Sequence, residues 1–126
     1  MFPPLFATLF ASTAVKALFG SAPLRVYAFG DAPAKGAVGY AVPYAVFQTV
    51  FGSPENNLTT VPNMDRWGEQ IDVYALTLTD VRNGAKAIRN ALEPVAYVTS
   101  WDGETRDTET QLFRYTFTVS FLTPRT

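Results

Sequence analysis

The sequence predicts an α+β domain: an antiparallel or mixed sheet of about five strands with two helices packed on one face, in the order α-β-β-β-α-β-β. Three observations predict it. Phe113, Tyr115, Phe117, Val119 and Phe121 alternate with Arg114, Thr116, Thr118 and Ser120, so this strand has one apolar and one polar face. Trp67, Glu69, Ile71, Val73 and Ala75 alternate in the same way with Arg66, Gly68, Gln70, Asp72 and Tyr74. Between these strands Val81, Ala85, Ile88 and Leu92 recur at helical spacing, with Arg82, Lys86, Arg89, Asn90 and Glu93 on the opposite side. Such a sheet takes helices on its apolar face and leaves the other face wet.

The remaining elements follow in order. A first helix is expected over residues 3–18. Pro3 and Pro4 suit its first turn, and Gly20 and Pro23 end it. Its wheel places Ala7, Phe10, Ala11, Ala14 and Leu18 on one apolar stripe, and Thr8, Ser12 and Lys16 on a polar line. Leu5 and Leu9 fall on the polar side. Either the helix is buried on both flanks, or a second apolar patch awaits a neighbouring subunit. Residues 25–29 read as a short strand, and 30–39 as a long loop. Gly36 and Gly39 lack the third glycine, the Lys-Ser/Thr pair and the following helix of a phosphate cradle.

Residues 41–51 are apolar on both faces, as in a strand covered on both sides, with Pro43 near the start. Residues 52–63 carry turn-formers and read as a second loop. Its Asn57-Leu58-Thr59 matches a glycosylation sequon by coincidence, since no secretion signal precedes it. Thr79 or Asp80 is expected to cap the second helix and Pro94 to close it. Residues 95–101 form the next strand, 102–109 a charged tip, and 113–121 the last strand. One domain spans residues 1–126, with flexible loops near 30–40 and 52–64.

Composition narrows the function. The 126 residues are 48% hydrophobic, enough for a sizeable core. A net charge of -1 lacks the basic footprint of a nucleic-acid binder, and in so apolar a chain it favours self-association. The chain has no cysteine and no histidine, which removes disulfides, thiolate nucleophiles and Ser/His/Asp catalysis. No basic residues precede Leu5, as a signal peptide requires, and the apolar run to Leu18 is shorter than the roughly 20 residues of a bilayer span. The expectation is a soluble protein made in a reducing cytoplasm, without membrane contact.

Candidate chemistry is sparse. Asp102, Glu104, Asp107 and Glu109 form an acidic cluster, but Arg106 interrupts it and its spacing matches no calcium loop. It reads as a solvated turn. Gln70 and Asp72 read as a satisfied polar pair or an interface contact. Arg82, Lys86 and Arg89 read as a solvated helix face in preference to a phosphate stripe. Trp67 and Trp101 read as packing residues. No residue is assigned to catalysis, a cofactor or a metal.

The order of segments carries a resemblance. A helix with small apolar residues precedes a Val-Pro-Tyr-x-Val-Phe-Gln strand at 42–48 and a Ser-Pro-Glu-Asn loop at 53–56. An Arg-x-x-x-Gln-Ile-Asp-Val-Tyr-Ala strand at 66–75 follows, then a helix ending at Leu92 and a closing aromatic strand. Nearly the whole chain thus resembles the tail completion or tail terminator proteins of long-tailed bacteriophages and related prophages. The resemblance implies a structural virion protein without catalysis or cofactor, assembled in the host cytoplasm. Its members form a ring, usually hexameric, at the head-proximal end of the tail, stopping tube polymerisation and meeting the neck. Partners would be copies of the chain, the tail tube protein and a neck or head-completion protein, with DNA passing through the lumen without specific binding.

A closed ring needs two different complementary patches per subunit. The expected interface residues are Phe2, Leu5 and Leu9. Arg114, Thr116, Thr118 and Ser120 are expected to line the lumen, and Asp31, Lys35, Glu55, Asn56 and Asn57 to meet partners from the loops. The alternatives are a head-completion or neck protein docking to the connector, or a small dimeric α+β ligand-binding or enzyme domain.

Overall fold

A five-stranded mixed sheet runs through the computed structural model, which describes residues 2–56 and 61–125. The elements are α1 (Leu5–Phe10), α2 (Thr13–Phe19), β1 (Val26–Ala28), β2 (Tyr44–Glu55), β3 (Met64–Ala75), α3 (Leu78–Leu92), β4 (Ala96–Arg106) and β5 (Phe113–Pro124). Strand order is β1-β2-β3-β5-β4. Only β1 lies parallel to its neighbour; β2, β3, β5 and β4 pair antiparallel. The α+β class and the one-sided helical cover agree with the sequence reading.

The long alternating strands set the register. Ile71 faces Phe117 and Val73 faces Tyr115 across β3 and β5, so the apolar sets share one side. Against that side pack Leu5, Leu9, Val15, Phe19, Val81, Ile88 and Leu92, all essentially buried. Gly84 lets α3 approach closely: a Cβ there would sit 2.9 Å from Val73 Cγ1 and 3.0 Å from Phe19 Cζ. Thr77 caps α3, its Oγ1 accepting from the Asp80 N–H at 3.1 Å. The cap therefore lies two residues before Thr79, and Asp80 occupies the first turn, where its charge suits the exposed N–H groups.

The expected first helix is two helices. Ser12 adopts an extended backbone and its Oγ accepts from the Val15 N–H at 3.3 Å, so it caps α2 and breaks the segment. The phase of the helical wheel resets at that point. As a result Leu5 and Leu9 point into the core, while Ala7, Phe10, Ala11 and Ala14 of the expected inward stripe are exposed.

Strand ends also differ. β2 starts three residues later than expected and continues to Glu55, so 52–55 are strand and not loop. Cover on both sides holds only near Tyr44 and Ala45; residues 49–54 are exposed. β4 continues to Arg106, which places Asp102 and Glu104 in a strand and leaves 107–112 as the turn. The 30–39 segment is a loop, as read.

Candidate functional site

The polar face of the sheet carries three hydrogen-bonded clusters, around Asp72, Asp102 and Arg66. Asp72 accepts from Arg114 Nε and a terminal guanidinium nitrogen at 3.2 Å each, from Thr116 Oγ1 at 2.5 Å and from Gln70 Nε2 at 3.4 Å. Asp102 accepts from Ser100 Oγ and Thr118 Oγ1 at 2.7 Å each. Arg66 donates to Glu55 at 2.6 Å, to the Tyr97 hydroxyl at 2.7 Å and to Ser120 Oγ at 3.3 Å. Of the strand residues expected to face a lumen, Arg114, Thr116 and Thr118 are half-buried in these clusters. Ser120 is only 2% exposed and lies against Arg66, so it presents no open surface. Gln70 and Asp72 form the polar pair the sequence implied.

Tyrosines extend this face. Tyr44 stacks on Tyr74 at 4.9 Å between ring centres, and Tyr40 and Tyr27 meet Tyr44 edge-on. Burial, reinforced by Tyr74, Tyr40 and Asp107, pushes the Tyr44 phenol up to about 12. The phenol stays neutral, and the Arg114–Asp72 ion pair balances its own charge. The surface offers hydroxyls, the Arg114–Asp72 ion pair and the hydroxyl-bonded Asp102 carboxylate.

The helical side differs. Phe2, Phe6 and Phe10 recur every fourth residue and remain 68%, 43% and 44% exposed. The Phe6 and Phe10 rings lie 6.1 Å apart, Phe2 lies 5.0 Å from Trp67, and the Lys16 ammonium sits 5.2 Å from the Phe10 ring centre. Of the residues expected at an interface, Leu5 and Leu9, at 2% and 0% exposure, belong to the core of their own chain, whereas Phe2 lies at the surface with Phe6 and Phe10. The spacing of four was present in the sequence, but a single continuous wheel assigned Phe10 to the core.

A third surface is a groove of about 420 Å³ between α3 and β4, lined by Arg82, Lys86, Arg89, Trp101, Glu104 and Tyr115 among others. Arg82 grips Glu104 with two hydrogen bonds of 2.8 and 2.9 Å, which hold that carboxyl below its usual range. Arg89 turns to Asn90 and to Glu93, the latter at 3.3 Å. Trp101 is 46% exposed above Tyr115 and Phe117. The sequence reading ended the strand at Trp101 and so separated Glu104 from the cationic helix face that it completes.

The loop candidates scatter. Asp31 and Lys35 are exposed in the 30–39 segment, Glu55 ends β2 in its ion pair with Arg66, and Asn56 is exposed beyond it. Asn57 lies outside the described residues, as does the sequon. Among the described residues no group of three or more Asp or Glu side chains is placed to hold a metal ion, and no helix is long and apolar enough to cross a membrane. None of these three surfaces brings a nucleophile to a base.

Comparison with known proteins agrees with this picture. Residues 3–124 match the family model described as Tail completion protein gp17. A chain of the structure titled "Virion of native gene transfer agent (GTA) particle" superposes with a TM-score of 0.73 at 15% identity. The superposition covers 96% of this chain and 92% of that one, and it shows a shared fold. Comparison with curated protein sequences gives no match. The chain belongs to the tail completion family and is a structural protein of phage-type tails.

Proposed function

We propose that this tail completion protein closes a ring, hexameric as in the family it resembles, at the head-proximal end of the tail. The ring ends tube polymerisation and offers its far side to the neck. The observation that carries this reading is the Phe2, Phe6 and Phe10 stripe: among several exposed large apolar side chains, these three rings recur every fourth residue and stay 68%, 43% and 44% exposed. Taking roughly 200 Å² per phenylalanine, the stripe exposes about 300 Å² of apolar surface. Covering it is worth roughly 8 kcal/mol before costs.

Association costs on the order of 4–15 kcal/mol, so this patch alone gives a weak contact. Purified protein is then monomeric or nearly so, and the tube end acts as template by holding several copies side by side. A ring also needs a second, different patch on each subunit. The polar face with Arg114, Thr116 and Thr118 suits a lumen wall. Arg114 is paired with Asp72, and Asp102 is held by hydroxyls, so the wall gives DNA phosphates little to bind. Glu55 and the exposed Asn56 at the end of β2 are the candidates to meet tube or neck proteins.

Phe6→Asp combined with Phe10→Asp tests this directly. Both side chains are exposed, so the variant folds with stability within about 0.5 kcal/mol of the parent. It fails to cap tails, and electron micrographs show tubes of uncontrolled length. Tubes of normal length in the presence of the variant contradict the assignment of the stripe. Full heads and normal tails that stay separate favour the head-completion reading instead.

A further inference from the structure

We propose that, beside the stripe, the ring contact includes the 29–38 loop of one copy, which seats Phe29, Asp31 and Val38 in the α3–β4 groove of the next copy. This rests on the ring reading and names its complementary surfaces. Topology places them correctly: β1 and β4 are the two outer strands, so the loop after β1 and the groove beside β4 lie at opposite edges of the sheet. A head-to-tail ring joins such opposite edges.

The chemistry of the two sides matches. On the loop, Phe29 is 67% and Val38 100% exposed, and Asp31 and Lys35 are exposed between them, with Asp31 nearer the sheet edge in sequence. The Phe29 N–H bonds Phe47 O at 3.0 Å and the Asp31 N–H bonds Ala28 O at 3.0 Å, which ties the base of the loop to the sheet edge. Facing the neighbour, the groove offers the open part of the Trp101 ring for apolar contact and a cationic line on α3 for the carboxylate. Arg82 and Arg89 already have acidic partners, but among the described residues Lys86 has no ion-pair or hydrogen-bond partner.

Strand addition is the obvious rival, and the edges oppose it. β4 breaks register with β5 between Val98 and Ser100 and again between Trp101 and Gly103, and Gly103 has φ +119°. An edge interrupted in this way is a poor template for another strand. The opposite edge offers the three residues of β1 and, beyond them, the distal part of β2, which itself breaks register with β3 between Thr49 and Phe51. A contact led by side chains remains.

The chain has no cysteine, so site-directed cross-linking is clean. Asp31→Cys and Arg89→Cys in one chain, assembled on tails and treated with a short bismaleimide, should give a ladder of covalent multimers up to the closed ring. Each single variant should give none. Rings of normal size by electron microscopy without the ladder overturn the docking and leave the ring standing. Absence of both rings and ladder from capped tails overturns both. Charge reversal provides a second arm: Asp31→Lys and Lys86→Glu should each reduce capping about tenfold or more, and the double variant should restore it. Equal loss in the double variant overturns the pairing.

Discussion

Along β2, Tyr44 and Ala45 are buried between β1 and β3, whereas residues 49–54 of the same strand are exposed. The proximal half of the β2–β3 hairpin takes its stability from helix cover and from Val73 and Ile71 beneath it. The distal half is held differently. Phe51 lies over Gly68 on one face, and Trp67 lies over Gly52 on the other, where a Cβ would sit 2.6 Å from Trp67 Cζ3. These two pairs are adjacent in the register, so each glycine makes room for the ring opposite it. One strand pair is thus held in two ways. Where side chains interlock under helices it belongs to the core; where glycine and aromatic alternate it is a thin arm whose Phe51 ring stays 48% exposed.

The largest effect that separates the halves is side-chain truncation. Phe117→Ala, in the fully buried core, should cost about 3–5 kcal/mol in denaturant unfolding. Phe51→Ala, at a ring that is 48% exposed, should cost less than about 1 kcal/mol. Similar losses at both sites would erase the distinction.

Added volume at glycine sharpens the same contrast. Gly84→Val drives a branched side chain towards Val73 and Phe19, neither of which can leave the core, and should cost about 2–3 kcal/mol. Gly68→Val meets Phe51, which can swing into water, and should stay within about 1 kcal/mol. Stability curves of both variants check this, and a larger loss at Gly68 would mean the arm is packed as tightly as the core.

The smallest effect lies at the join of the halves. Glu69 is 3% exposed on the apolar face; Oε1 accepts from Thr49 Oγ1 at 3.1 Å and Oε2 has no partner. Burial raises its pKa, partly offset by Thr49. The folded state therefore favours the protonated acid. Stability falls as pH rises from the ordinary carboxylate value through the raised one, and the penalty is complete above it. Glu69→Gln should stabilise by about 1 kcal/mol at neutral pH and flatten that slope. Asp65 has the opposite sign: its hydrogen bond to Arg125 lowers its pKa, so its contribution is present above the ordinary carboxylate range and lost as pH falls. Thermal melts across that range, with Glu69→Gln less stable than the parent at neutral pH, would reject the assignment.

What was legible in the sequence follows from periodicity. β3, α3 and β5 are periodic because one face of each packs on the core, and Ile71, Val73, Val81, Ile88, Phe117, Val119 and Phe121 were read correctly, whereas Ser120, read as open polar face, is buried. β2 and β4 lose that signal where cover ends, so their ends were placed four and five residues short. The break at Ser12 turns on one side-chain hydrogen bond, which left Leu5 and Leu9 on the wrong side. The groove was invisible for a related reason: Arg82 and Glu104 are 22 residues apart and meet only once β4 passes beneath α3. Family membership was legible because it rests on the order of whole segments.

Tail length in particles assembled without this protein tests the central claim most directly. The account predicts tubes that grow past their normal length and fail to join heads, with length control restored by adding the protein back. Tubes of normal length joined to full heads in its absence would contradict it.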